Sequence, residues 1–405
     1  MSRVPCDQQR TVGEDPLFGM HPVGQIVGPR HVVCGDDSIR SLGSLLRDLA
    51  ISPGPVLVVC DGALHERGLS EPATAALEGA GYRPIVFADI TGEPDLEVVE
   101  NVVETARGQE LVAVVGLGGG SAMDPAKLAA ALYTNEGSVK DVGRQSFARP
   151  ALPLALVPTT AGTGAEATKN SIFINRGRKV VVSSSELCPL IALLDPSLTV
   201  TCPPPVTAAS GMDAIAHAVE TMLSAFATPL TMTNSLAAVR LAARWLQTAF
   251  KDGSNLSARR AMLYAAHLAG LSVSAVVVLG HTIAYTIAAR THLPHGVTTA
   301  MSLPYCIAYN LPAAGKRLTV LEDETGIERG SLARWARRLS EDLEMPSSLR
   351  EVGISARDLP AMVEECFELY PRPNNPLPFE HRRLLTLFAC LFEGDLESAL
   401  TSMTE

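Results

Sequence analysis

Apolar positions divide the chain into two parts with different periodicities. Between residues 31 and 195, short runs of β-branched and other apolar residues alternate with segments whose apolar positions recur every three or four residues. Strands that are apolar throughout and are joined by helices form a parallel sheet covered on both faces. This part therefore predicts an α/β nucleotide-binding domain. The predicted strands cover 55–61, 83–89, 111–116 and 152–160, and the predicted helices cover 70–81, 95–108 and 124–135.

The pattern changes near three consecutive prolines at 203–205, which mark a linker and a helix start. Beyond them the chain is almost entirely helical in pattern, with no convincing strand and no internal repeat. We expect a flexible N-terminal tail over 1–24, an α/β dinucleotide-binding domain over 25–203 and an all-helical metal- and substrate-binding domain over 204–405. The predicted helices of the last part cover 206–224, 230–250, 257–289, 296–309, 330–342, 355–370 and 380–397.

Composition narrows the class of protein. The 405 residues exceed what one hydrophobic core usually serves, and 47% hydrophobic with 19% charged residues is ordinary for a large enzyme. A formal charge of −10 argues against a nucleic-acid or anionic-membrane partner. The eight scattered cysteines form no C-x-x-C pair and indicate reduced thiols. The polar N-terminus lacks an apolar signal segment, and no apolar run reaches membrane-spanning length, so we expect a cytoplasmic protein.

A glycine-rich segment, GLGGGS at 116–121, follows the third predicted strand and precedes a helix. Such a turn exposes backbone N–H groups at the positive end of a helix dipole, which favours a phosphate. The segment is not G-x-G-x-x-G, because Ser121 replaces the third glycine, and it is also compatible with a plain structural turn. The hydroxyl-rich VPTTAGTG at 157–164 favours a nucleotide, and Asp61 at a strand end favours a free ribose 2′-hydroxyl.

Histidine and aspartate residues in the second part suggest a metal site. Asp213 and His217 are four residues apart, which is one face of a helix, although such a pair also occurs on surfaces and at helix ends. His281 and His295 would lie roughly 21 Å apart in one unbroken helix, but Pro294 allows two separate elements to converge. Three imidazoles with one carboxylate suit Fe²⁺ or Zn²⁺ better than Mg²⁺ or Ca²⁺. His267 and His292 are interpreted as structural or exposed.

Four motifs in order resemble those of the iron-containing (group III) alcohol dehydrogenases, allied to glycerol dehydrogenase and dehydroquinate synthase. They are GGGSAMDPAK (118–127), PTTAGTGAEATKN (158–170), GMDAIAHAVE (211–220) and GHTIAYTIAARTHLPHGVTTAMSLP (280–304). The resemblance implies a two-domain enzyme, commonly dimeric or larger, in which Asp213, His217, His281 and His295 bind Fe²⁺ or Zn²⁺. It implies that NAD, or NADP, contacts Asp61, Gly118, Gly119, Gly120, Ser121, Asp124, Thr159, Thr160, Thr163, Gly164, Asn170 and Lys179.

Two positions depart from that family. Tyr285 stands where many members have a second histidine, and it either relays a proton or only packs. Its ordinary pKa near 10 makes a phenol a poor base at pH 7. Arg290 stands where members often have glycine or a bulky apolar residue. It either binds an anionic substrate group, such as a carboxylate or phosphonate, or faces solvent or a neighbouring acid.

The predicted reaction is hydride transfer between nicotinamide and a small alcohol or aldehyde, with the metal as Lewis acid. One alternative is a reductase of an anionic aldehyde. Others are a metal-free enzyme similar to maleylacetate reductase, a lyase similar to dehydroquinate synthase, and a non-catalytic NAD-binding protein. The intact Asp213 and three histidines argue against the last three.

Overall fold

The computed structural model describes residues 24–142 and 147–404, so most of the predicted N-terminal tail lies outside the described residues. The first part contains eight strands and five α-helices, and the second contains nine α-helices. The strands are β1 (His31–Cys34), β2 (Pro55–Asp61), β3 (Arg83–Ile90), β4 (Ala113–Gly118), β5 (Leu154–Pro158), β6 (Asn170–Asn175), β7 (Arg178–Ser183) and β8 (Ile191–Leu194). The helices of the first part are α1 (Leu42–Asp48), α2 (Gly62–Glu66), α3 (Glu71–Gly79), α4 (Leu96–Arg107) and α5 (Gly120–Thr134).

Six of the strands form a parallel sheet in the order β1-β8-β5-β4-β2-β3. Alternate residues of the central strands point to opposite faces. Val114 packs in the cluster with α4 and α5, and Val115 packs in the cluster with α1 and α3. Helices therefore cover both faces, which confirms the α/β class predicted from the apolar strands.

The antiparallel hairpin of β6 and β7 is a feature that the sequence analysis did not anticipate. It stands beside the main sheet and packs against α5. Neither strand is buried throughout: β6 alternates partly and fully buried positions before its end, and β7 is mostly exposed or partly buried.

From Pro204 onward, the described chain is helical and contains no strand, which confirms the predicted all-α part. Its helices are α6 (Pro204–Leu223), α7 (Pro229–Lys251), α8 (Leu256–Ser272), α9 (Leu279–Thr291), α10 (His295–Thr325), α11 (Leu332–Asp342), α12 (Leu359–Glu368), α13 (His381–Glu393) and α14 (Leu396–Thr404). Their apolar faces share one core cluster. Among the described residues no single helix is long and apolar enough to cross a membrane; α8 and α9 reach that length and hydropathy only together, bent by 105°.

Four predicted helix boundaries were clearly wrong. The helix predicted over 296–309 continues as α10 to Thr325. The helix predicted over 257–289 is two helices, because the chain breaks between α8 and α9. The helix predicted from Asp124 begins instead at Gly120, so Pro125 lies inside its first two turns. The helix predicted over 380–397 is also two helices. The first, α13, ends before Gly394, whose φ of +76° lies in the left-handed region that favours glycine, and α14 begins at Leu396.

The break between α8 and α9 has a tertiary cause. The first N–H groups of a helix have no acceptor within the helix. At the start of α9, Val278 N and His281 N donate to the Glu220 carboxylate of α6, at 2.9 and 3.1 Å, and Leu279 N donates to Asn375 Oδ1 at 3.2 Å. Side chains distant in sequence thus provide the helix start that periodicity alone did not show.

Candidate active site

Three helices bring the four predicted metal ligands together. Asp213 and His217 lie one turn apart on α6, His281 is near the start of α9, and His295 is the first residue of α10. Pro294 precedes α10 as its N-cap, so the chain turns between the last two histidines as the sequence predicted. The convergence requires separate helices, because one continuous helix would hold His281 and His295 apart.

The donor atoms of this cluster are close enough to share one ion. Asp213 Oδ1 lies 3.9 Å from His281 Nε2 and 3.8 Å from His295 Nε2, and these three residues offer one donor atom each within 4.8 Å. His217 Nε2 lies 3.1 Å from His281 Nε2. Ligands at 2.0–2.1 Å around a tetrahedral ion are separated by roughly 3.4 Å, so this donor set fits such an ion.

The environment keeps the imidazoles neutral, as metal ligands must be. Burial lowers the pKa of His281 to about 4, although the nearby Asp213 acts in the opposite direction and the positive charge of Arg372 adds to the lowering. Burial also lowers the pKa of His217 and lowers that of His295 well below its ordinary value. The Nδ1 atoms of His217 and His295 are buried without a hydrogen-bond partner. The Nε2 atoms of His217, His281 and His295, rather than these Nδ1 atoms, face the cluster and are the atoms that would bind an ion.

Glu220 orients one ligand and was not singled out from the sequence. It is fully buried on α6, and its Oε1 lies 2.6 Å from His281 Nδ1. Burial raises the pKa of Glu220 to about 7, and the hydrogen bond from the backbone of His281 opposes this shift. A neutral His281 that donates from Nδ1 to Glu220 leaves Nε2 free as a ligand. The signal in the sequence was the position of Glu220, seven residues or two helical turns after Asp213.

The glycine segment lies at the carboxyl ends of the central strands, where ligands of open α/β sheets bind. Gly118 ends β4 with φ +149° and pairs with Pro158 of β5, and α5 begins at Gly120. A Cβ at Gly119 would be 3.2 Å from Thr160 Oγ1, and one at Gly120 would be 3.3 Å from Thr163 Cγ2. The two predicted nucleotide-binding segments are therefore in contact.

Thr159 and Gly164 complete this surface. Thr159 N donates to Gly118 O at 3.0 Å, while its buried Oγ1 has no partner. Gly164 has φ +57°, and a Cβ there would be 2.5 Å from Ala266 O of α8. The glycines that admit a phosphate and the unpaired hydroxyl fit a dinucleotide. The same loop packs on α8 and, through Gly162 and Ser210, on α6, the helix that carries Asp213 and His217.

The predicted residues Asp124, Asn170 and Lys179 lie on α5 and the hairpin. Asp124 Oδ2 accepts from Ile172 N at 3.1 Å, so it fastens the hairpin to α5. Its neighbour Lys127, which the sequence analysis quoted but did not single out, is fully buried and donates to Asn170 O. Lys179 is neutralised by Glu93 at 2.9 Å.

Asp61 ends β2, beside β4, and begins α2. Asp61 is the N-cap of α2: its Oδ1 accepts from Ala63 N at 2.9 Å, and its Oδ2 accepts none of the N–H groups of that helix. The geometry is compatible with the predicted ribose contact, which stays a prediction.

Tyr285 lies on the metal site, whereas Arg290 does not. The Tyr285 ring stacks on the His295 ring with centroids 5.5 Å apart and planes at 24°. Burial raises the pKa of Tyr285, and the nearby Arg372 opposes this. Arg290 donates to both oxygens of Glu365, at 2.7 and 2.8 Å. Because this carboxylate already neutralises Arg290, the structure does not support its predicted contact with a substrate anion.

The two histidines excluded from the site are indeed elsewhere. His292 is exposed in the left-handed region (φ +54°) at the end of α9. His267 is buried on α8, with Nδ1 3.1 Å from Glu166 Oε1. This pair joins the loop that follows β5 to the helical part.

Comparisons with known proteins agree with this arrangement. The family model described as iron-containing alcohol dehydrogenase matches residues 29–196, and the C-terminal model of the Fe-containing alcohol dehydrogenase family matches 207–392. The chain is 35% identical over 358 residues to long-chain-alcohol dehydrogenase 1 of Geobacillus thermodenitrificans, covering 84% of this chain and 90% of that protein. It is 31% identical over 385 residues to the sulfoacetaldehyde reductase of Bilophila wadsworthia, covering 90% and 98%.

A solved structure shows the same fold. The sulfoacetaldehyde reductase of Bifidobacterium kashiwanohense, in complex with NAD⁺, superposes with a TM-score of 0.85 at 25% identity, covering 91% of this chain and 99% of that one.

Proposed function

Because this chain belongs to the family of iron-containing alcohol dehydrogenases, we propose that it uses NAD and Fe²⁺ to interconvert a small alcohol and its aldehyde. The observation that carries the proposal is that four predicted metal ligands converge, while the loop at 158–170 contacts both the predicted nucleotide-binding glycines and, through Gly162 and Ser210, the helix that carries Asp213 and His217. Iron rather than zinc and NAD rather than NADP are parts of the proposal. The domain boundaries, a homodimeric or larger assembly and the cytoplasmic location stay predictions.

The residues present define how each group would be held. Asp213, His217, His281 and His295 would hold the ion, and the N–H groups at the start of α5 would hold the pyrophosphate, beside Thr159. When bound, the ion supplies a Lewis acid for the alcohol or carbonyl oxygen, and the nicotinamide supplies or accepts hydride.

The protein's own part is positioning and proton movement. Burial keeps the three imidazoles neutral, and Glu220 holds the ring of His281 in one orientation. We propose Tyr285 as the route for the proton, because its ring stacks directly on His295. Tyr285→Phe retains the ring and removes the hydroxyl, so we expect a lower kcat with the metal content unchanged.

A matched pair of histidine variants tests the metal site. His281→Ala is expected to lose bound metal and turnover together, because the ion loses a buried ligand. His292→Asn is the control, because His292 is exposed and asparagine tolerates its left-handed backbone. Metal content by mass spectrometry and NADH oxidation with an aldehyde series are the measurements. Full activity of metal-free protein would contradict the proposal.

Asp61 provides the test of cofactor choice. We expect higher kcat/KM with NADH than with NADPH, because a carboxylate repels a 2′-phosphate. Asp61→Asn should narrow this difference while it keeps an acceptor for the cap of α2. A wild-type preference for NADPH would show that Asp61 does not face the ribose.

A further inference from the structure

Two cations lie over the ring of Tyr285, and only one of them has a partner. Lys179 Nζ is 5.6 Å from the ring centroid and forms an ion pair with Glu93. Arg372 Cζ is 5.9 Å from the same centroid. Its Nε is buried without any hydrogen-bond partner, and none of the ion pairs within 24–142 and 147–404 includes it.

Arg372 belongs to a rigid segment. It stands between Pro371 and Pro373, whose rings restrict the backbone. The next residue, Asn374, is buried and donates to Ser224 Oγ and Val276 O, each at 2.9 Å. The backbone that carries Arg372 is therefore held at the site by the fold.

Arg372 lies close to the candidate metal site, where the reaction would take place. The Tyr285 ring stacks on the His295 imidazole, and the Arg372 guanidinium lies over the same phenol ring, close enough for its charge to act on His281. A ligand whose carbonyl lies at the metal site would extend past Tyr285 toward the guanidinium.

Arg372 lies beside the Tyr285 hydroxyl, and its charge reaches the buried Glu220, but among the described residues no carboxylate forms an ion pair with it. An anionic ligand would stabilise a partly buried cation of this kind. Arg290 and Lys179 are not candidates for binding an anionic ligand, since Glu365 and Glu93 already neutralise them. A guanidinium with free N–H groups binds a carboxylate, sulfonate or phosphonate through paired charge-assisted hydrogen bonds.

We propose that Arg372 binds an anionic group of the substrate and makes this enzyme selective for aldehydes that carry a carboxylate, sulfonate or phosphonate close to the carbonyl. The inference rests on the proposed aldehyde reduction and names its substrate class. Sulfoacetaldehyde, the substrate in the name of the Bilophila wadsworthia relative, is an aldehyde of this kind.

Kinetics with matched aldehydes test the selectivity. The substrates are acetaldehydes substituted at C2 with carboxylate, sulfonate or phosphonate, with propanal as the neutral match, and the enzymes are wild type, Arg372→Met and Arg372→Lys. Arg372→Met should lose about 10- to 100-fold in kcat/KM for the preferred anion, mostly through KM, and change little with propanal. Arg372→Lys should show an intermediate loss of kcat/KM for the anion, since lysine keeps the positive charge but lacks the paired N–H donors of the guanidinium. Arg290→Met is the matched control and should keep the wild-type preference among the aldehydes.

A binding measurement separates this inference from the proposed function. Ethanesulfonate has no carbonyl, and its titration into metal- and NADH-loaded protein by calorimetry should show binding to wild type and Arg290→Met and none to Arg372→Met. Equal binding to all three would overturn the inference, as would equal losses of kcat/KM for propanal and the anions. A change confined to the KM for NADH would place Arg372 at the cofactor instead, and also overturn it. Failure to turn over any aldehyde or alcohol would contradict the proposed function, and the ethanesulfonate titration would still decide the role of Arg372.

Discussion

The replacement Glu220→Gln tests how the protein prepares His281 for a metal. Glu220 accepts three hydrogen bonds, from Val278 N at 2.9 Å, His281 N at 3.1 Å and His281 Nδ1 at 2.6 Å. Glutamine has the same shape but only one acceptor oxygen. Two backbone donors need that oxygen, so the amide NH₂ must face Nδ1 of the imidazole. Nδ1 then accepts, and the ring proton moves to Nε2, which is the atom that faces Asp213 and the other ligands.

The expected effect is on metal affinity rather than on folding. Loss of a partner that orients a metal ligand typically costs 10- to 100-fold in affinity, or about 1.4–2.8 kcal/mol. The free energy of unfolding of the metal-free protein should change by about 1 kcal/mol or less, because the glutamine still satisfies the buried donors. Glu220→Ala leaves all three donors unsatisfied, so it should lower both the metal affinity and the free energy of unfolding.

Two measurements check this reasoning. Competition with a chelator gives the Fe²⁺ and Zn²⁺ affinities, and ¹⁵N chemical shifts of His281 report which ring nitrogen carries the proton in metal-free protein. Wild-type affinity in Glu220→Gln, with the proton still on Nδ1, would refute the orienting role of Glu220.

Three further predictions follow from buried contacts. A Cβ at Gly280 would lie 2.5 Å from Glu220 Oε1, so Gly280→Ala should displace this carboxylate and lower metal affinity roughly as Glu220→Gln does, measured by the same competition. Burial raises the pKa of Asp124 from 3.8 to about 6, so the folded state binds the proton more tightly than the unfolded state and loses stability as the pH rises from about 4 to 6. Between pH 5 and 7 the unfolding free energy of wild type should therefore fall by about 1 kcal/mol more than that of Asp124→Asn in urea titrations, and equal slopes would contradict this. His267→Leu leaves the buried Glu166 without its partner and should destabilise the protein by about 3 kcal/mol in the same assay, whereas Glu166→Gln together with His267→Leu should recover part of the loss.

Local chemistry was sufficient to predict much of the site. Asp213 and His217 share a helix face because they are four residues apart, and Pro294 separates His281 from His295 because proline ends a helix. The glycine segment was found because only residues without a Cβ leave backbone N–H groups open to a phosphate. These are properties of neighbours in sequence.

Predictions from the sequence were wrong or incomplete where contacts between residues distant in sequence determine the structure. The start of α9 depends on Glu220 of α6, which accepts from two of its first N–H groups. For Arg290 the sequence left two interpretations open, an anion site or a neighbouring acid, and the fold decided between them by placing Glu365 against it. The sequence contains both residues, but 75 positions separate them, and no periodicity encodes that contact.

The sequence by itself determined the class of fold, the kinds of ligand atoms and the order of the motifs, because these depend on residue type and short-range spacing. Only the tertiary structure decided which charges are neutralised. It pairs Arg290 with Glu365 and Lys179 with Glu93, and it leaves Arg372 unpaired beside Tyr285. Ion pairing depends on distance in space, and the packing of α9 against α12 sets the distance between Arg290 and Glu365.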